Sequence, residues 1–522
     1  MARLLGRRAL LRKAAATALA LAGGGLEACA RLAQRDTGAP ARASGPASTA
    51  TTPASAADWR TLAGQLQGTL LRPGQNGYAL AHQLFNPAFD TIQPAGVAYC
   101  QSGSDVQRCI DFVARHALPV AVRSGGHSYA GYSTTPGLVV DVSRIHQVAP
   151  DPAGSTATVG AGARMIDVYA GLASHAVCVP GASCPTVGIA GVALGGGVGV
   201  LDRGLGLTLD NTLAIQIVTA DGVLRTADAD HDPDLFWACR GGGGGNFGAA
   251  VSFRFRTHAV SDLSLFYLDW DWASADQAVP AWMAWASGAP DALGSNCVLT
   301  TGSPPSLSMG GVYQGGTGGL SALLDQLETA AGAAPRAKDV WQSGFLEAML
   351  SEAGCANRTV TECHLRSTPG GTLGRSAFAA KSDFISQPLD GKGTAALLGA
   401  VASHGGGGGG LLLDACGGAI NRVPAQATAF CHRDDLCSLQ YYTSWSASAS
   451  TAVQTRQRAW LNDAWQMMRP YVSGYAYQNY IDPNLPDWQN AYYGVNLPRL
   501  EQVKRRYDPT NLFRFAQSIP LP

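Results

Sequence analysis

Four short segments carry the residue types from which chemistry is built. The first is Arg123-Ser124-Gly125-Gly126-His127-Ser128-Tyr129-Ala130-Gly131-Tyr132-Ser133, directly after the apolar Val120-Ala121-Val122. Adjacent glycines let backbone N–H groups converge on an anion, and serine hydroxyls add donors. That is chemistry for a pyrophosphate, with the His127 ring held beside whatever is bound. The same residues also suit a tight turn with a structural histidine. The second segment is Pro180-Gly181-Ala182-Ser183-Cys184-Pro185-Thr186-Val187-Gly188, which sets Cys184 in a glycine loop; a buried or disulfide-bonded cysteine is the plainer reading. The third, Arg240-Gly241-Gly242-Gly243-Gly244-Gly245-Asn246-Phe247-Gly248, contains Gly243-x-Gly245-x-x-Gly248. It matches a dinucleotide fingerprint in letters only, because a helix pattern precedes it and a strand pattern follows, the reverse of a Rossmann turn. The fourth is C-terminal. It holds Tyr477-Gln478-Asn479-Tyr480-Ile481-Asp482 and Asn511-Leu512-Phe513, with tyrosines that either pack a core or supply an acid or base in a cavity.

Alternating short strands and helices must position these loops. Asp105–His116 has Val106, Cys109, Ile110 and Val113 on one helical face. Leu118–Arg123, Leu138–Val142, Thr156–Val159, Leu213–Thr219 and Ala249–Phe255 are apolar enough for strands, and Met165–His175 and Asp234–Arg240 read as helices. The stretch 262–469 differs: it has Trp-rich strand-like pieces, a helix near Leu320–Ala331, and the glycine run Gly405–Gly410, which reads as a loop. In Ser438-Leu439-Gln440-Tyr441-Tyr442, strand alternation puts Ser438, Gln440 and Tyr442 on one face, and Lys381 and Asp383 share a face in the same way.

The chain has 522 residues, enough for about three domains or one large two-part enzyme. Lys+Arg and Asp+Glu both number 37, so the net charge is zero, which argues against a nucleic-acid or anionic-membrane binder. Hydrophobic residues make up 46%, which excludes global disorder. Residues 1–30 read as an export signal outside the fold. Arg7-Arg8 resembles a twin-arginine motif, an apolar stretch from Ala14 to Ala22 follows, and Ala28-Cys29-Ala30 offers a cleavage site. Leu26-Glu27-Ala28-Cys29 also resembles a lipoprotein box, with Glu27 a poor fit, so a lipid anchor on Cys29 stays open. The apolar run is too short for the ~20 residues a membrane span needs. Residues 31–57, rich in Ala, Ser, Thr, Pro and Gly, read as a flexible tether. Twelve cysteines fit an oxidising compartment, periplasmic or secreted; no C-x-x-C occurs, and no metal site is expected. Cys100/Cys109, Cys355/Cys363 and Cys431/Cys437 are near enough in sequence for disulfides.

Together and in this order, the four segments resemble the berberine bridge enzyme-like oxidases of the vanillyl-alcohol oxidase superfamily, from about Trp59 to Pro520. The resemblance implies an α+β fold. A two-part FAD-binding domain of PCMH type would comprise residues 58–262 and 470–522, and a substrate domain, 263–469, would lay an antiparallel sheet over the flavin. It implies that the loop of Arg123, Ser124, Gly125, Gly126 and Ser128 holds the FAD pyrophosphate, with His127 bonded to the flavin. In bicovalent members a cysteine in C-P-T-V-G makes a second bond; here that is Cys184, with Gly188 closing the motif. Gly248 belongs to a second FAD loop, and Asn511 and Phe513 resemble residues near the isoalloxazine. Asn479-Tyr480 resembles the family's N-Y motif, whose tyrosine serves as base, with Tyr477 assisting or merely packing. Ser438, Gln440 and Tyr442 would face substrate. Some members carry a carboxylate base in that strand, but this chain has none there. Val192 stands where several plant members have a histidine, and Val187 stands where the family's valine goes with fast oxygen reaction.

The function so implied is an exported FAD-dependent oxidase that moves a hydride from an alcohol or sugar hemiacetal to bicovalently bound flavin and reduces O2 to H2O2. Its partners are a carbohydrate, aromatic alcohol or secondary metabolite and O2. Rivals are a flavin dehydrogenase with another acceptor, a ring-forming oxidase of secondary metabolism, and a flavin-carrying binding protein without turnover.

Overall fold

The computed structural model describes residues 53–521; the segment read as an export signal and most of that read as a tether lie outside the described residues. The first helix, α1 (Ala56–Gln65), starts two residues inside the segment read as tether, where the Ser55 hydroxyl accepts from Asp58 N and the Asp58 carboxylate accepts from Ser55 N. This reciprocal box satisfies two of the amides that a helix start leaves open.

Two small sheets follow. Strands β1 (Thr69–Leu71), β2 (Gly96–Tyr99), β3 (Val120–Arg123) and β4 (Leu138–Asp141) order as β1-β2-β4-β3. The β2–β4 and β3–β4 pairs are parallel. Their Val- and Ala-rich sequences are those of strands covered on both faces. Helix α2 (Gly103–Arg115) buries Val106, Cys109, Ile110 and Val113. Its N-cap Ser102 accepts from Asp105 N, and buried Asp105 accepts from three backbone amides, of Gln67, Gly68 and Gln101. The second sheet joins β5 (Val148–Pro150), β6 (Thr156–Gly160), β8 (Thr212–Val218), β9 (Leu224–Asp228) and β10 (Ala249–Arg256) in the order β5-β6-β10-β8-β9, all antiparallel. The short β7 (Val177–Cys178) pairs with β11 (His258–Ala259). Helices α3 (Met165–Ala173), α4 (Ile189–Gly195) and α5 (Pro233–Ala238) fill the connections.

A third sheet dominates the middle of the chain. It runs β15-β12-β14-β13-β17-β18-β16, entirely antiparallel. Its strands are β12 (Leu263–Trp270), β13 (Leu293–Thr300), β14 (Ser306–Tyr313), β15 (Ala337–Ser343), β16 (Ala377–Ile385), β17 (Gly409–Ala415) and β18 (Cys437–Trp445). Helices α6 (Ala275–Gly288), α7 (Thr317–Ala331) and α9 (Thr451–Met468) cover one face. Leu411, Leu413, Leu439 and Tyr441 are fully buried. The alternate residues Leu412, Asp414, Gln440 and Tyr442 line a cavity on the other side. Period two thus divides this sheet into an apolar face and a polar one. Helix α8 (Phe345–Glu352) leads from β15 into a loop closed by the Cys355–Cys363 disulfide. Beyond α9 the chain returns to the first two sheets, and α10 (Leu497–Tyr507) packs against α5. One continuous apolar core runs through all three sheets.

Two sequence expectations are corrected. Of the three cysteine pairs only Cys355–Cys363 is bonded; Cys100 and Cys109 are free thiols 3.9 Å apart, and Cys431 and Cys437 are free. The glycine run is not all loop, because Gly409 and Gly410 begin β17, where Gly410 pairs with Thr300 and Tyr442.

Candidate active site

The 123–133 loop and the 180–188 loop meet where glycine is required. A side-chain carbon on Gly125 would sit 2.2 Å from Gly188 N, and one on Gly188 would sit 1.9 Å from Ser124 Oγ. Only paired glycines permit so close a backbone approach. The contact brings together residues that are 184 − 127 = 57 positions apart. His127 Nε2 lies 2.9 Å from Thr186 Oγ1, and the Cys184 sulfur lies 4.0 Å from the same oxygen. Phe85 stacks on the His127 ring with centroids 4.0 Å apart. Burial, and then the Arg164 charge, hold the His127 imidazolium down to about 3, so the ring is neutral with a free lone pair. Burial pushes the Cys184 thiol up, against hydrogen bonds from Thr186 and Val187.

Both residues line a cavity of about 850 Å³, within the ~300–1,000 Å³ of small-molecule and cofactor sites. Ser124, Gly125, Gly126, Ser128, Val187, Gly188, Gly248 and Phe513 line it too. Arg123 and Asn511, also expected as cofactor contacts, are not among the lining residues. Arg123 points into the protein instead: it pairs with Asp141, its register partner across β3–β4, and donates to Ala81 O at 2.7 Å. Asn511 takes a left-handed φ of 52° in the turn before Phe513.

The C-terminal segment closes the opposite side. Tyr477 is buried, and its hydroxyl oxygen accepts from Gly197 N at 2.8 Å, Val198 N at 3.3 Å and Asn479 Nδ2 at 3.0 Å. Those donors favour the phenolate, but burial outweighs them and pushes the hydroxyl up to about 12. Tyr480 stands edge-on to Tyr477 at 4.9 Å and stacks on Tyr129 at 5.3 Å. Burial, then the charge of Asp414, raise its hydroxyl well above the ordinary tyrosine value. From β18, Gln440 donates to the Tyr129 hydroxyl at 2.9 Å and Tyr442 stacks on Phe378 at 5.4 Å. Ser438, expected on the same face, does not line the cavity; its hydroxyl is 3.5 Å from Asp414 Oδ2. Lys381 and Asp383 face away, Lys381 to Asp482 at 2.6 Å and Asp383 to Arg469 and Tyr441.

Sequence reasoning missed three carboxylates on the cavity wall, Asp202, Asp414 and Glu352. Asp414 lies on β17 opposite Ser438 of β18. A carboxylate absent from one strand is therefore supplied by its neighbour. Burial pushes Asp414 up to about 6. The alternation of Leu411-Leu412-Leu413-Asp414 signals a strand with one acid, but only the pairing of β17 with β18 reveals where it faces.

The cavity walls suit a large cofactor. Thr134 Oγ1 and Gln478 Oε1 are buried wall atoms with no partner among the described residues, and a side-chain carbon on Gly191 would meet nothing within 4 Å there. A family model described as "FAD binding domain" matches residues 94–228, and one described as "Berberine and berberine like" matches 476–520. An uncharacterized FAD-linked oxidoreductase of Bacillus subtilis is 33% identical over 463 residues, 87% of this chain and 98% of its own length. The chain belongs to the berberine bridge enzyme-like FAD-linked oxidoreductases. The solved structure of the Physcomitrella patens berberine bridge enzyme-like 1 protein superposes with a TM-score of 0.82 at 30% identity, over 89% of this chain and 99% of that one. A chitooligosaccharide oxidase structure superposes with a TM-score of 0.80 at 26% identity, over 89% and 99%. This berberine bridge enzyme-like chain therefore has the family's α+β architecture and is an FAD-linked oxidoreductase. Among the described residues no helix is long and apolar enough to cross a membrane, and no group of His, Cys, Asp and Glu is arranged to hold a metal ion.

Proposed function

We propose that this chain is an exported oxidase that removes a hydride and a proton, two electrons and two protons in all, from an alcohol or sugar hemiacetal, with FAD bonded to both His127 and Cys184 and with H2O2 as the second product. The observation that carries the reading is the meeting of His127 and Cys184 at the Thr186 hydroxyl, in the cavity wall that also holds Tyr480 and Asp414. A neutral histidine and a cysteine converging on one point of the wall give the fold nothing that a single hydrogen bond would not. FAD, when bound, supplies the two-electron chemistry, taking hydride from the carbinol carbon and returning the electrons to O2.

The chain's own residues manage the proton. Tyr480 is neutral at physiological pH, because burial and the Asp414 charge both oppose its ionisation. Asp414, held near 6, is mostly ionised there and is the group already free to take a proton. Tyr480 thus accepts the substrate hydroxyl proton as its own passes toward Asp414. Tyr477 engages its oxygen with three N–H groups of the protein, and so acts by holding the 197–198 turn and Asn479 in position. Gln440 and Tyr129 form a hydrogen-bonded wall beside Tyr480. Val187 bounds the cavity next to Cys184 and, as a small side chain, leaves O2 a route to the reduced cofactor. Arg7-Arg8 and the apolar stretch after it support export of the folded holoenzyme.

The testing experiment is anaerobic reduction of the purified holoenzyme by a panel of oligosaccharides, aromatic alcohols and polyketides, followed by exposure to O2 with peroxide detection. Bleaching of the flavin by an alcohol or sugar, then stoichiometric peroxide, supports the oxidase. Bleaching without peroxide, with turnover on an artificial acceptor, makes it a dehydrogenase. A ring-closed product makes it a ring-forming enzyme, and no bleaching at all leaves a flavin-carrying binding protein.

A further inference from the structure

The cavity is unbalanced in charge. Asp202, Glu352 and Asp414 line it, against one guanidinium, Arg514, which is exposed and donates to Asn511 O at 3.3 Å. Asp202 serves the fold, being buried and accepting from Gly199 N at 2.9 Å. Glu352 and Asp414 have no such role. Neither forms an ion pair among the described residues. Among the described residues Asp414 has a single 3.5 Å contact from Ser438, and Glu352 has no hydrogen-bond partner.

Unpaired carboxylates in a low-dielectric wall are costly, and they persist where something outside the chain compensates them. Glu352 ends α8, the helix that follows β15, and β15 contributes Trp341 to the same wall; β12 contributes Tyr267. Aromatic faces and a carboxylate are the groups that hold a cation. A neutral polyol could also donate its hydroxyls to these carboxylates, so the charge of the ligand is what separates the two classes. An anionic substrate would be repelled by both carboxylates.

We propose that the substrate carries a protonated amine, seated on Glu352 between the Trp341 and Tyr267 faces, while its hydroxyl-bearing carbon lies toward Tyr480 and Asp414. An amino sugar with a free amine and an alkylamine-bearing aromatic alcohol both fit this class. Asp414 is reserved for the proton of the reacting hydroxyl, which leaves Glu352 as the specificity-determining group. Burial, and then the Asp414 charge, push the Glu352 carboxyl up to about 7 in the protein alone. A neighbouring ammonium opposes both influences, so cation binding and Glu352 ionisation reinforce each other. The inference rests on the oxidase reading only for where the reacting carbon sits; the choice of charge rests on the wall itself.

Two matched pairs test it: para-(aminomethyl)benzyl alcohol against para-ethylbenzyl alcohol, and a glucosamine trisaccharide against its N-acetylated form. Each compound is titrated into the holoenzyme by calorimetry and, separately, used to reduce the flavin anaerobically. The expected result is that in at least one pair the cationic member binds more tightly by about tenfold or more, the scale of one charge-assisted contact. Glu352→Gln should bring that ratio close to one, whereas Glu352→Asp should keep part of it. Equal or weaker binding of the cationic member in both pairs overturns the proposal. So does a Glu352→Gln variant that lowers both members of a pair by the same factor. Cation-selective binding without flavin reduction leaves the amine site standing and sinks the oxidase reading. Flavin reduction by the neutral members alone does the reverse.

Discussion

The Thr186 hydroxyl lies 2.9 Å from His127 Nε2 and thereby fixes the ring of a histidine that is neutral at every physiological pH. With one nitrogen engaged by Thr186, the imidazole cannot rotate freely, and Phe85 stacked on its face removes the remaining freedom. If His127 bonds the flavin as proposed, it needs no base beside it, because its ring is already neutral.

The first prediction is therefore covalent. Acid precipitation of the holoenzyme should leave the protein yellow, and peptide mass spectrometry should find FAD on both His127 and Cys184. Cys184→Ala should retain one link. Flavin released into the acid supernatant of the wild-type protein would falsify the bicovalent assignment.

The second concerns the proton. Tyr480→Phe should slow flavin reduction by roughly 10²–10⁴, the usual scale for losing a general base, with the flavin spectrum nearly unchanged. Tyr477→Phe should instead disturb the spectrum, because it removes the acceptor of three N–H groups beside the cavity. A larger rate loss from Tyr477→Phe than from Tyr480→Phe would exchange their roles.

The third follows from Asp414, raised from the ordinary 3.8 to about 6. Flavin reduction should fall as pH drops below about 6, since the protonated carboxyl no longer accepts, and Asp414→Asn should abolish that acid limb. The same shift has the opposite sign for stability. A carboxyl whose folded pKa is raised favours the fold at low pH, and that contribution is lost as pH rises toward 6. Asp414→Asn should thus stabilise the protein at neutral pH, on the order of 1 kcal/mol after allowing for its partial exposure. A variant that is both inactive and less stable would argue for a structural Asp414.

The fourth concerns oxygen. Val187→Leu adds one methylene to a wall residue next to Cys184, and close-packed walls have no slack for it. Stopped-flow mixing of the reduced enzyme with dissolved O2 should show slower reoxidation in the variant. Slow reoxidation already in wild type, with rapid turnover on an artificial acceptor, would reverse the oxidase assignment.

The fifth concerns the C-terminal closure. Lys504 is fully buried and donates to Asp508 Oδ2 at 2.6 Å, Asn246 O at 2.8 Å and Phe513 O at 2.5 Å. Lys504→Met leaves Asp508 buried without a counter-charge and should cost about 3–5 kcal/mol in chemical unfolding. A loss below about 1 kcal/mol would mean that the pair merely breaks even with apolar packing.

The two glycine loops that line the cavity were legible because each is contiguous: the residues that meet the cavity are neighbours in sequence, and paired glycines mark the close approach. Long amphipathic pieces such as Gly103–Arg115 were legible from period alone, to within two residues. Asp414 and Glu352 were not, because no local pattern tells which strand lies beside which, or that the last residue of a helix turns into a cavity. A motif gives residue types in order but not their directions: Arg123 turns inward to Asp141. Cys100 and Cys109 are close in sequence and in space, and still unbonded in the structure. Spacing alone therefore cannot decide a disulfide.

The return of the chain after α9 has a consequence for biosynthesis. Tyr477, Gln478, Tyr480 and Phe513 all belong to the cavity wall, yet all lie within the last fifty residues of the chain. During translation the glycine loops emerge long before the segment that completes the cup around them. A ribosome-bound intermediate ending near residue 470 has the two nucleophiles but lacks one side of the vessel. The cup around the glycine loops is complete only when residues 477–513 have folded against them.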